Sequence, residues 1–322
     1  MTNDLSYTTE EIAKLLKISK LTVYDLIKKG DLPAYRVGKQ MRVDASDLER
    51  YKQRSKGLAH GSPESLAGSA RREPPPSPAS QHAHSAGGGR LVITGQDVSL
   101  DILAKHIEKQ VPGVRPLREY VGSLDSLIAM YRGESDIVST HLLDGDTGLY
   151  NLPYIRKLLV GQPLLVIHLL ARPAGLYVQP GNPLGLSEWR DLGRPDIRLA
   201  NREQGSGARV LLDEQLRLHG IASSAIAGYD QAEDSHLAVA AKVASGEANV
   251  GVGIAKAAAI VGGVEFIPLI EEQYDLVMLK KPENEAWVQA VVKLLRSDAL
   301  RHELRAIQGY DFSRTGEILY EY

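Results

Sequence analysis

A segment rich in Pro, Gly, Ser, Ala and His divides this chain into two unequal parts. Residues 55–89 contain the run Pro74-Pro75-Pro76-Ser77-Pro78 and end in three consecutive glycines. Such a segment lacks the apolar surface needed to offset the entropy lost on ordering, which is typical of a flexible tether. We therefore predict a small domain at residues 1–54, a flexible linker at residues 55–89 and a larger domain at residues 90–322.

The composition excludes several classes of protein. The 322 residues carry 38 Lys and Arg against 40 Asp and Glu, so the whole chain has no strong field that would mark a nucleic-acid-binding or membrane-binding protein. The chain has no Cys, which rules out disulfides and thiolate metal sites and fits a reducing compartment. We find no secretory signal and no apolar run of about 20 residues that could cross a bilayer. We predict a cytoplasmic protein with no membrane partner.

Residues 1–54 carry the pattern of a winged helix-turn-helix. Thr8 and Glu11 have the spacing of a capping box ahead of a helical pattern, and Ser19 starts a second helix that stops at Gly30. Residues 34–37 and 41–43, on either side of a turn at residues 38–40, predict the hairpin of the wing. Asp44 then caps a third helix.

Positive charge is concentrated in this part of the chain, where residues 1–56 hold twelve Lys and Arg against eight Asp and Glu. In a helix-turn-helix the second helix enters the major groove, and basic side chains of a wing meet phosphates or the minor groove. The alternative is a solvated basic face on a small protein-binding module. The predicted DNA-binding residues are Lys20, Thr22, Tyr24, Arg36, Lys39 and Arg42.

Several stretches of this domain resemble the excisionase and MerR-type winged helix family. They are YTTEEIAKLL at residues 7–16, SKLTVY at residues 19–24, GDLPA at residues 30–34 and Arg42-Val43. The resemblance covers residues 6–54. It implies a DNA-binding head of the kind that other members of the family carry fused to sensory domains.

Residues 90–322 alternate short apolar runs with amphipathic helical patterns. The first predicted strand, residues 91–93, precedes a helix at residues 99–110, and the alternation continues through predicted strands at residues 116–121, 136–138, 197–200 and 250–252. Such alternation predicts an α/β fold with a mostly parallel sheet that helices cover on both faces. The simplest arrangement is two α/β lobes.

The stretch NREQGSGAR at residues 201–209 follows a predicted strand and opens a helix. This geometry directs free backbone N–H groups and the positive end of the helix dipole at one point, as in an anion site. A glycine-rich helix cap used for packing alone is the alternative. Further strand-to-helix junctions add hydroxyls, and several junctions facing one cleft would form a cage of neutral donors. The predicted ligand-binding residues are Thr94, Ser123, Thr140, Arg202, Gly205, Ser206 and Gly207.

The larger domain resembles the type II periplasmic-binding-protein-like class, in particular cytoplasmic variants similar to molybdate- and tungstate-binding proteins. The matching stretches are residues 135–144, 175–183, 201–209, 236–240 and 250–253. The resemblance implies lobe I at about residues 90–172 and 275–322, and lobe II at about residues 173–274. It also implies crossover strands near residues 171–178 and 274–279, with the ligand in the cleft between the lobes.

The sequence shows only weak patterns of catalytic or metal-binding residues. The chain has no G-x-S-x-G elbow, and His168 lies in an apolar run, which predicts a buried histidine with a protein partner. The pairs Glu233-Asp234 and Glu271-Glu272 are expected on solvated helix faces. We therefore predict no enzymatic activity, no metal site and no resident cofactor.

Together these features predict a one-component, ligand-responsive transcriptional regulator. It would bind double-stranded DNA through the N-terminal domain, as a homodimer whose two heads read two half-sites. Its effector would be a small oxyanion, with molybdate or tungstate as first choice. Two alternatives stay open: an accessory or enzymatic protein of molybdenum cofactor metabolism, and a sensor of a small organic anion.

The linker generates a first prediction. Limited proteolysis with trypsin should cut first within residues 55–89, at Arg71-Arg72, because a segment without a core offers an extended backbone to a protease. Gel electrophoresis and mass spectrometry should then show two stable products. First cuts elsewhere, with residues 55–89 intact, would contradict the linker assignment.

Overall fold

The computed structural model describes residues 6–16, 23, 26–27, 32–37, 40–45, 47–48, 51 and 89–322. The chain divides into two compact units, Met1–Ala79 and Ser80–Tyr322. Residues 55–88 of the predicted linker lie outside the described residues. Gly89, which we assigned to the linker, instead begins the first strand of the larger unit.

The small unit contains a three-stranded antiparallel sheet in the order β1-β3-β2, formed by β1 (Ser6–Thr8), β2 (Tyr35–Val37) and β3 (Gln40–Asp44). The strands β2 and β3 form the predicted hairpin. The sequence pattern missed β1, because three residues are too few to show an alternation of apolar and polar side chains. β1 is fixed instead by pairing with β3, which sets Ser6 opposite Asp44.

Helix α1 (Thr9–Leu16) begins at the predicted capping box, which the structure confirms. The amide of Thr8 donates to Glu11 Oε2 at 2.8 Å, and the amide of Glu11 donates back to Thr8 Oγ1 at 3.4 Å. Further helical backbone is described at residues 23, 26–27, 45, 47–48 and 51. Among the described residues, the buried core of this unit includes Ile12, Val23, Leu32, Val43 and Leu48.

The larger unit, residues 89–322, is described throughout and is built on one mixed sheet in the order β5-β4-β6-β11-β7-β10-β8-β9, with β12 paired to β7. Its strands are β4 (Gly89–Thr94), β5 (Val114–Glu119), β6 (Ile137–Thr140), β7 (Leu164–Val178), β8 (Leu199–Arg202), β9 (Ala232–Glu233), β10 (Val250–Ile254), β11 (Glu265–Leu279) and β12 (Ile318–Glu321).

Helices cover both faces of this sheet. They are α2 (Ser99–Gln110), α3 (Ser123–Tyr131), α4 (Leu152–Leu158), α5 (Gly207–Leu218), α6 (His236–Ala244), α7 (Ala255–Val261), α8 (Glu285–Leu295) and α9 (Asp298–Arg305), with 3-10 turns at Trp189–Gly193, Ser223–Ala225 and Pro282–Asn284. Among the described helices, none has the length and apolar composition needed to span a membrane.

Two long antiparallel strands, β7 and β11, connect two lobes. The first part of β7 and the last part of β11 belong to lobe I with β4, β5, β6 and β12, whereas their other ends belong to lobe II with β8, β9 and β10. Each lobe has a separate apolar cluster on each face of the sheet. The predicted two-lobed α/β fold is confirmed, although the crossing strands are longer than we expected and the sheet is antiparallel where they run.

The pairing of β7 with β11 shifts register twice, between Pro268 and Ile270 and between Tyr274 and Asp275. Gly175 of β7 lies at the first irregularity. A Cβ atom added to Gly175 would lie 1.9 Å from the carbonyl oxygen of Ile267. The close backbone approach at this point therefore requires glycine.

This contact predicts that Gly175→Ala destabilises the larger unit by about 3 kcal/mol, the upper end for overpacking, because a backbone carbonyl in a sheet cannot rotate away. Urea denaturation followed by circular dichroism would measure the change. Gly193→Ala is the matched control. A Cβ at Gly193 would meet only the side chain of Ile221, at 3.3 Å, so the control should change the free energy of unfolding by no more than about 0.5 kcal/mol. Equal effects of the two substitutions would refute the explanation.

Candidate ligand-binding cleft

A cavity of about 780 Å³ lies between the two lobes of the larger unit. Its wall is formed where strands end and helices begin: after β4, β5 and β6 in lobe I, and after β8, β9 and β10 in lobe II. Ligand sites of α/β sheets lie at the carboxyl ends of the strands, and sites for small organic ligands have volumes of roughly 300–1,000 Å³. The position and size of this cavity therefore suit a small ligand.

The floor of the cavity is a buried ion cluster centred on Arg172 of β7. The guanidinium Nε donates to Glu272 Oε1 at 2.8 Å, and Nη1 donates to Asp97 Oδ2. The hydroxyl of Tyr310 also donates to Asp97 Oδ2, at 2.7 Å, and the guanidinium lies 4.8 Å from the ring centroid of Tyr274. The side chains of Arg172, Asp97 and Glu272 are all less than 5% exposed.

The charges in this cluster hold each other in the ionised state. Burial alone would raise the pKa of Glu272, but the Arg172 guanidinium and then His141 bring that pKa far below its usual range. Burial likewise opposes ionisation of Asp97, and Arg172 followed by the Ser99 hydroxyl and amide lowers its pKa. Burial would lower the pKa of Arg172, yet Glu272 raises it well above the ordinary value.

Two histidines line the cavity from opposite lobes. The ring of His141, which follows β6, stacks on Tyr274 with a centroid distance of 5.0 Å, and its Nδ1 lies 3.0 Å from Glu272 Oε1 without the alignment of a hydrogen bond. His236 is the first residue of α6, and its Nδ1 is buried without a hydrogen-bond partner among the described residues. Burial first, then Arg202 and Arg172, lowers the pKa of His236 well below its ordinary value. The ring is therefore neutral at pH 7.

The cations that line the cavity differ in whether a carboxylate is paired with them. Arg202 of β8 is paired with Glu203 and also donates to Gln96 Oε1 at 2.7 Å. Lys256, in the first turn of α7, has its ammonium 5.3 Å from the ring centroid of Tyr310 and no carboxylate of the described residues at ion-pair distance. Lys256 therefore offers a partly buried positive charge to a ligand.

The lobes meet beside the cavity through backbone contacts that glycine permits. The amide of Leu124 donates to the carbonyl of Gly205 at 2.9 Å, and a Cβ on Gly122 would lie 2.7 Å from that same oxygen. Gly205 has a left-handed φ of +84° and faces the carboxylate of Asp125, and a Cβ on Gly207 would overlap the His141 ring. We predicted Gly205 and Gly207 as ligand-binding residues. The structure places atoms of lobe I against both glycines instead.

Two of the predicted hydroxyl donors already have partners inside the protein. Thr94 Oγ1 lies 3.0 Å from the hydroxyl of Ser135, and both side chains are buried. Ser206 caps α5, since its hydroxyl accepts from the amide of Arg209 at 3.3 Å and donates to the carbonyl of Glu203. Neither residue lines the cavity.

The other two predicted hydroxyl residues differ in whether they have a hydrogen-bond partner. Ser123 Oγ accepts a hydrogen bond from the amide of His141 at 3.2 Å, and Thr140 Oγ1 is buried with no hydrogen-bond partner among the described residues. Both lie behind the cavity wall. Of the seven predicted residues, Arg202 lines the cavity itself. A role for the other six as ligand donors stays a prediction.

Sequence reasoning missed the floor of the site. The acidic pairs that we expected on helix faces lie in or beside strands: Glu233 in β9 and Glu272 in β11, where Glu272 is 1% exposed. Asp234 and Glu271 are exposed as expected, but solvation of Glu272 was a wrong expectation because its partner Arg172 is a hundred residues away in the sequence. A usable signal was Arg172, since an arginine inside a long apolar run has to be paired if the run is buried. The prediction for His168 is confirmed, because its buried Nδ1 lies 2.8 Å from Asp275 Oδ1.

The predicted DNA-binding residues are only partly described. Lys20, Thr22, Tyr24 and Lys39 lie outside the described residues, as does the side chain of Arg36. Arg42 of β3 is half-buried, and its Nη1 donates to the hydroxyl of Ser6 at 3.2 Å. Arg42 therefore helps to hold β1 against β3, and its contact with DNA stays a prediction.

The chain combines a helix-turn-helix domain with a two-lobed α/β domain that contains a ligand-sized cavity. The PBP superfamily domain family matches residues 104–296, and a helix-turn-helix domain family matches residues 6–56. The chain belongs to the PBP superfamily.

Individual proteins are similar to this chain over different lengths. The uncharacterized protein YvgK of Bacillus subtilis is 50% identical over 321 residues, which is 100% of both chains. An uncharacterized protein from the 5′ region of a 2Fe-2S ferredoxin gene of Clostridium pasteurianum is 40% identical over 112 residues, 35% of this chain and 99% of its own. A substrate-binding protein assigned to a phosphate ABC transporter of Clostridium perfringens, solved with bound phosphate, has a TM-score of 0.50 at 17% identity and covers 70% of this chain and 99% of that one. This last likeness shows the fold alone.

The ion cluster predicts a specific pH dependence. Glu272→Gln should lower the free energy of unfolding at pH 7 by about 3–5 kcal/mol, because it removes one partner of a buried guanidinium. The folded-state pKa of Glu272 is depressed, so its contribution is complete above the unfolded pKa and is lost as the pH falls towards the folded pKa. The difference in free energy of unfolding between wild type and Glu272→Gln should therefore narrow from pH 6 towards pH 3.

Urea denaturation at a series of pH values would measure this gap. The control is Glu321→Gln, which removes an exposed carboxylate paired with Lys280 and should give a curve close to that of the wild type. A constant gap between wild type and Glu272→Gln across the pH range would contradict the assigned ionisation.

Proposed function

We propose that this protein is a one-component transcriptional regulator, in which the helix-turn-helix domain binds double-stranded DNA and a small ligand binds between the lobes of the larger domain. The observation that carries the proposal is a ligand-sized cavity with an unmatched cation, in the same chain as a helix-turn-helix domain. Occupation of the cleft would change the affinity or geometry with which the protein holds DNA.

DNA binding is supported by the family match at residues 6–56 and by the surplus of basic residues in this part of the chain. A single head of this size buries little surface on DNA, and two heads of a homodimer that read two half-sites would supply the missing affinity. We therefore propose a homodimer. A regulator of this kind acts where the DNA is, in the cytoplasm.

An anionic ligand is supported by the first turns of two helices in lobe II. Lys256 presents an ammonium that no carboxylate among the described residues pairs, and His236 presents a neutral ring nitrogen at the start of α6. Backbone N–H groups at a helix start add to this positive potential. Molybdate and tungstate are the inorganic candidates, from the resemblance of the sequence. A small organic anion is the second candidate, and the cavity volume favours it.

The proposal can be tested with the full-length protein. DNA fragments that it retains from a genomic library would be sequenced, and the affinity for a retained fragment would be measured by fluorescence anisotropy with and without molybdate, tungstate, phosphate and small carboxylates. At least one anion that raises the melting temperature of the protein should change the DNA affinity. Stabilisation by an anion with no effect on DNA binding under any condition would contradict the regulatory part of the proposal.

A further prediction concerns the source of the DNA affinity. The logarithm of the binding constant should fall linearly with the logarithm of the salt concentration, because Lys and Arg displace counterions from phosphates. A chain without residues 1–56 should lose this binding. If the shortened chain bound the same fragment with the same salt slope, DNA recognition would have to lie in the larger domain.

A further inference from the structure

We infer that the ligand of the interlobe cleft is an amphipathic organic anion, with an anionic group at one end and an apolar body at the other. The inference rests on the proposed function, because it names the ligand class of that same cleft. Three features of the cavity carry it: its volume, the apolar side chains at its mouth and the distribution of its charges.

The volume is too large for a bare tetrahedral oxyanion. Five heavy atoms occupy roughly 150 Å³ at the ~30 Å³ that a water-sized group takes up in a liquid. The cavity measures about 780 Å³. An inorganic oxyanion would leave most of this space to water, whereas a ligand of ten to twenty heavy atoms would fill a large part of it.

Both lobes place exposed apolar side chains along the mouth of the cavity. Val98 and Tyr120 of lobe I are 41% and 61% exposed, and Leu237 and Ile260 of lobe II are 43% and 61% exposed. All four side chains line the cavity. Exposed apolar side chains that converge from two lobes on one cavity are typical of a site that covers them with an apolar ligand. An inorganic oxyanion would gain nothing from these contacts.

The anionic end of the ligand has a matching site deeper in lobe II. Lys256 carries a partly buried charge that no described carboxylate neutralises, and the buried Nδ1 of His236 has no hydrogen-bond partner in the described part of the chain. Both residues lie in first turns of helices, α7 and α6, and both line the cavity. A carboxylate or sulfonate bound here would neutralise Lys256 and satisfy His236.

The remaining charges disfavour a compact dianion. Asp125 and Asp234 line the cavity as exposed carboxylates without an ion-pair partner among the described residues, Glu203 is paired with Arg202, and Asp97 shares Arg172 with Glu272. Carboxylates therefore outnumber cations around the ligand, and Lys256 is the lining cation that has no carboxylate partner among the described residues. This surplus repels a divalent oxyanion more strongly than a monoanion, and contacts of the apolar body would offset the weaker repulsion and keep a single anionic group at Lys256.

The probe for this inference is 1-anilinonaphthalene-8-sulfonate, an organic anion with an aromatic body, titrated into full-length protein and followed by fluorescence. Saturable binding with one site per chain is expected. Leu237→Asn, which makes the mouth polar, and Lys256→Met, which removes the charge but keeps the stem, should each weaken binding at least about tenfold. Lys256→Arg should restore most of the affinity.

Two matched controls separate the cleft from the general surface. Leu218→Asn changes a leucine of α5 that is 48% exposed and does not line the cavity, and Lys157→Met removes an exposed lysine of α4. Neither should alter probe binding. Thermal unfolding of all variants would verify that each is folded as the wild type is.

Calorimetric titration of the same proteins with sodium tungstate distinguishes failure of this inference from failure of the proposed function. Tungstate binding that Lys256→Met weakens, together with probe binding that Leu237→Asn leaves unchanged, would overturn the amphipathic ligand and leave the proposed function in place. If Lys256→Met and Leu237→Asn changed neither titration, the cleft would not be the ligand site, and both the inference and the ligand part of the proposed function would fail.

Discussion

The larger domain depends on one fully buried guanidinium. Arg172 lies where the two lobes join, and it binds carboxylates from the loop after β4 and from β11. Moving these three charges out of water has a large desolvation cost, so the cluster adds little net stability compared with an apolar core of the same shape. Its effect is on geometry, because leaving any one of the three unpaired would be strongly unfavourable. The cavity therefore has a floor that is fixed before a ligand arrives.

The parts of this molecule that could be predicted from the sequence are those with a local cause. The capping box of Thr8 and Glu11, the hairpin of β2 and β3 and the alternation of strands and helices each depend on residues a few positions apart. The cluster of Arg172 with Glu272 depends on the pairing of two strands a hundred residues apart, and periodicity carries no information on such a partner. The same reason explains why the sequence did not show that Lys256, His236 and Tyr310 line one cavity.

The glycine-rich stretch at residues 201–209 shows how one backbone property serves different purposes. Glycines after a strand and before a helix expose backbone groups, and the sequence alone cannot state whether an ion or another part of the protein approaches them. In the structure the approaching groups are the Gly122 backbone, the Asp125 carboxylate and the His141 ring. The carbonyl of Gly205 is used in the contact between lobes, where it accepts a hydrogen bond from the amide of Leu124.

The continuous strands β7 and β11 have a mechanical consequence. Each passes from one lobe to the other within a single run of fifteen residues, with no loop between them. Relative motion of the lobes must therefore bend a two-stranded ribbon, and the two register shifts in β11 are the places where that ribbon is least regular. Such a ribbon resists bending elastically, and its restoring force grows with the angle of bending. Such a connection limits the angle through which the lobes can move and favours one angle between them.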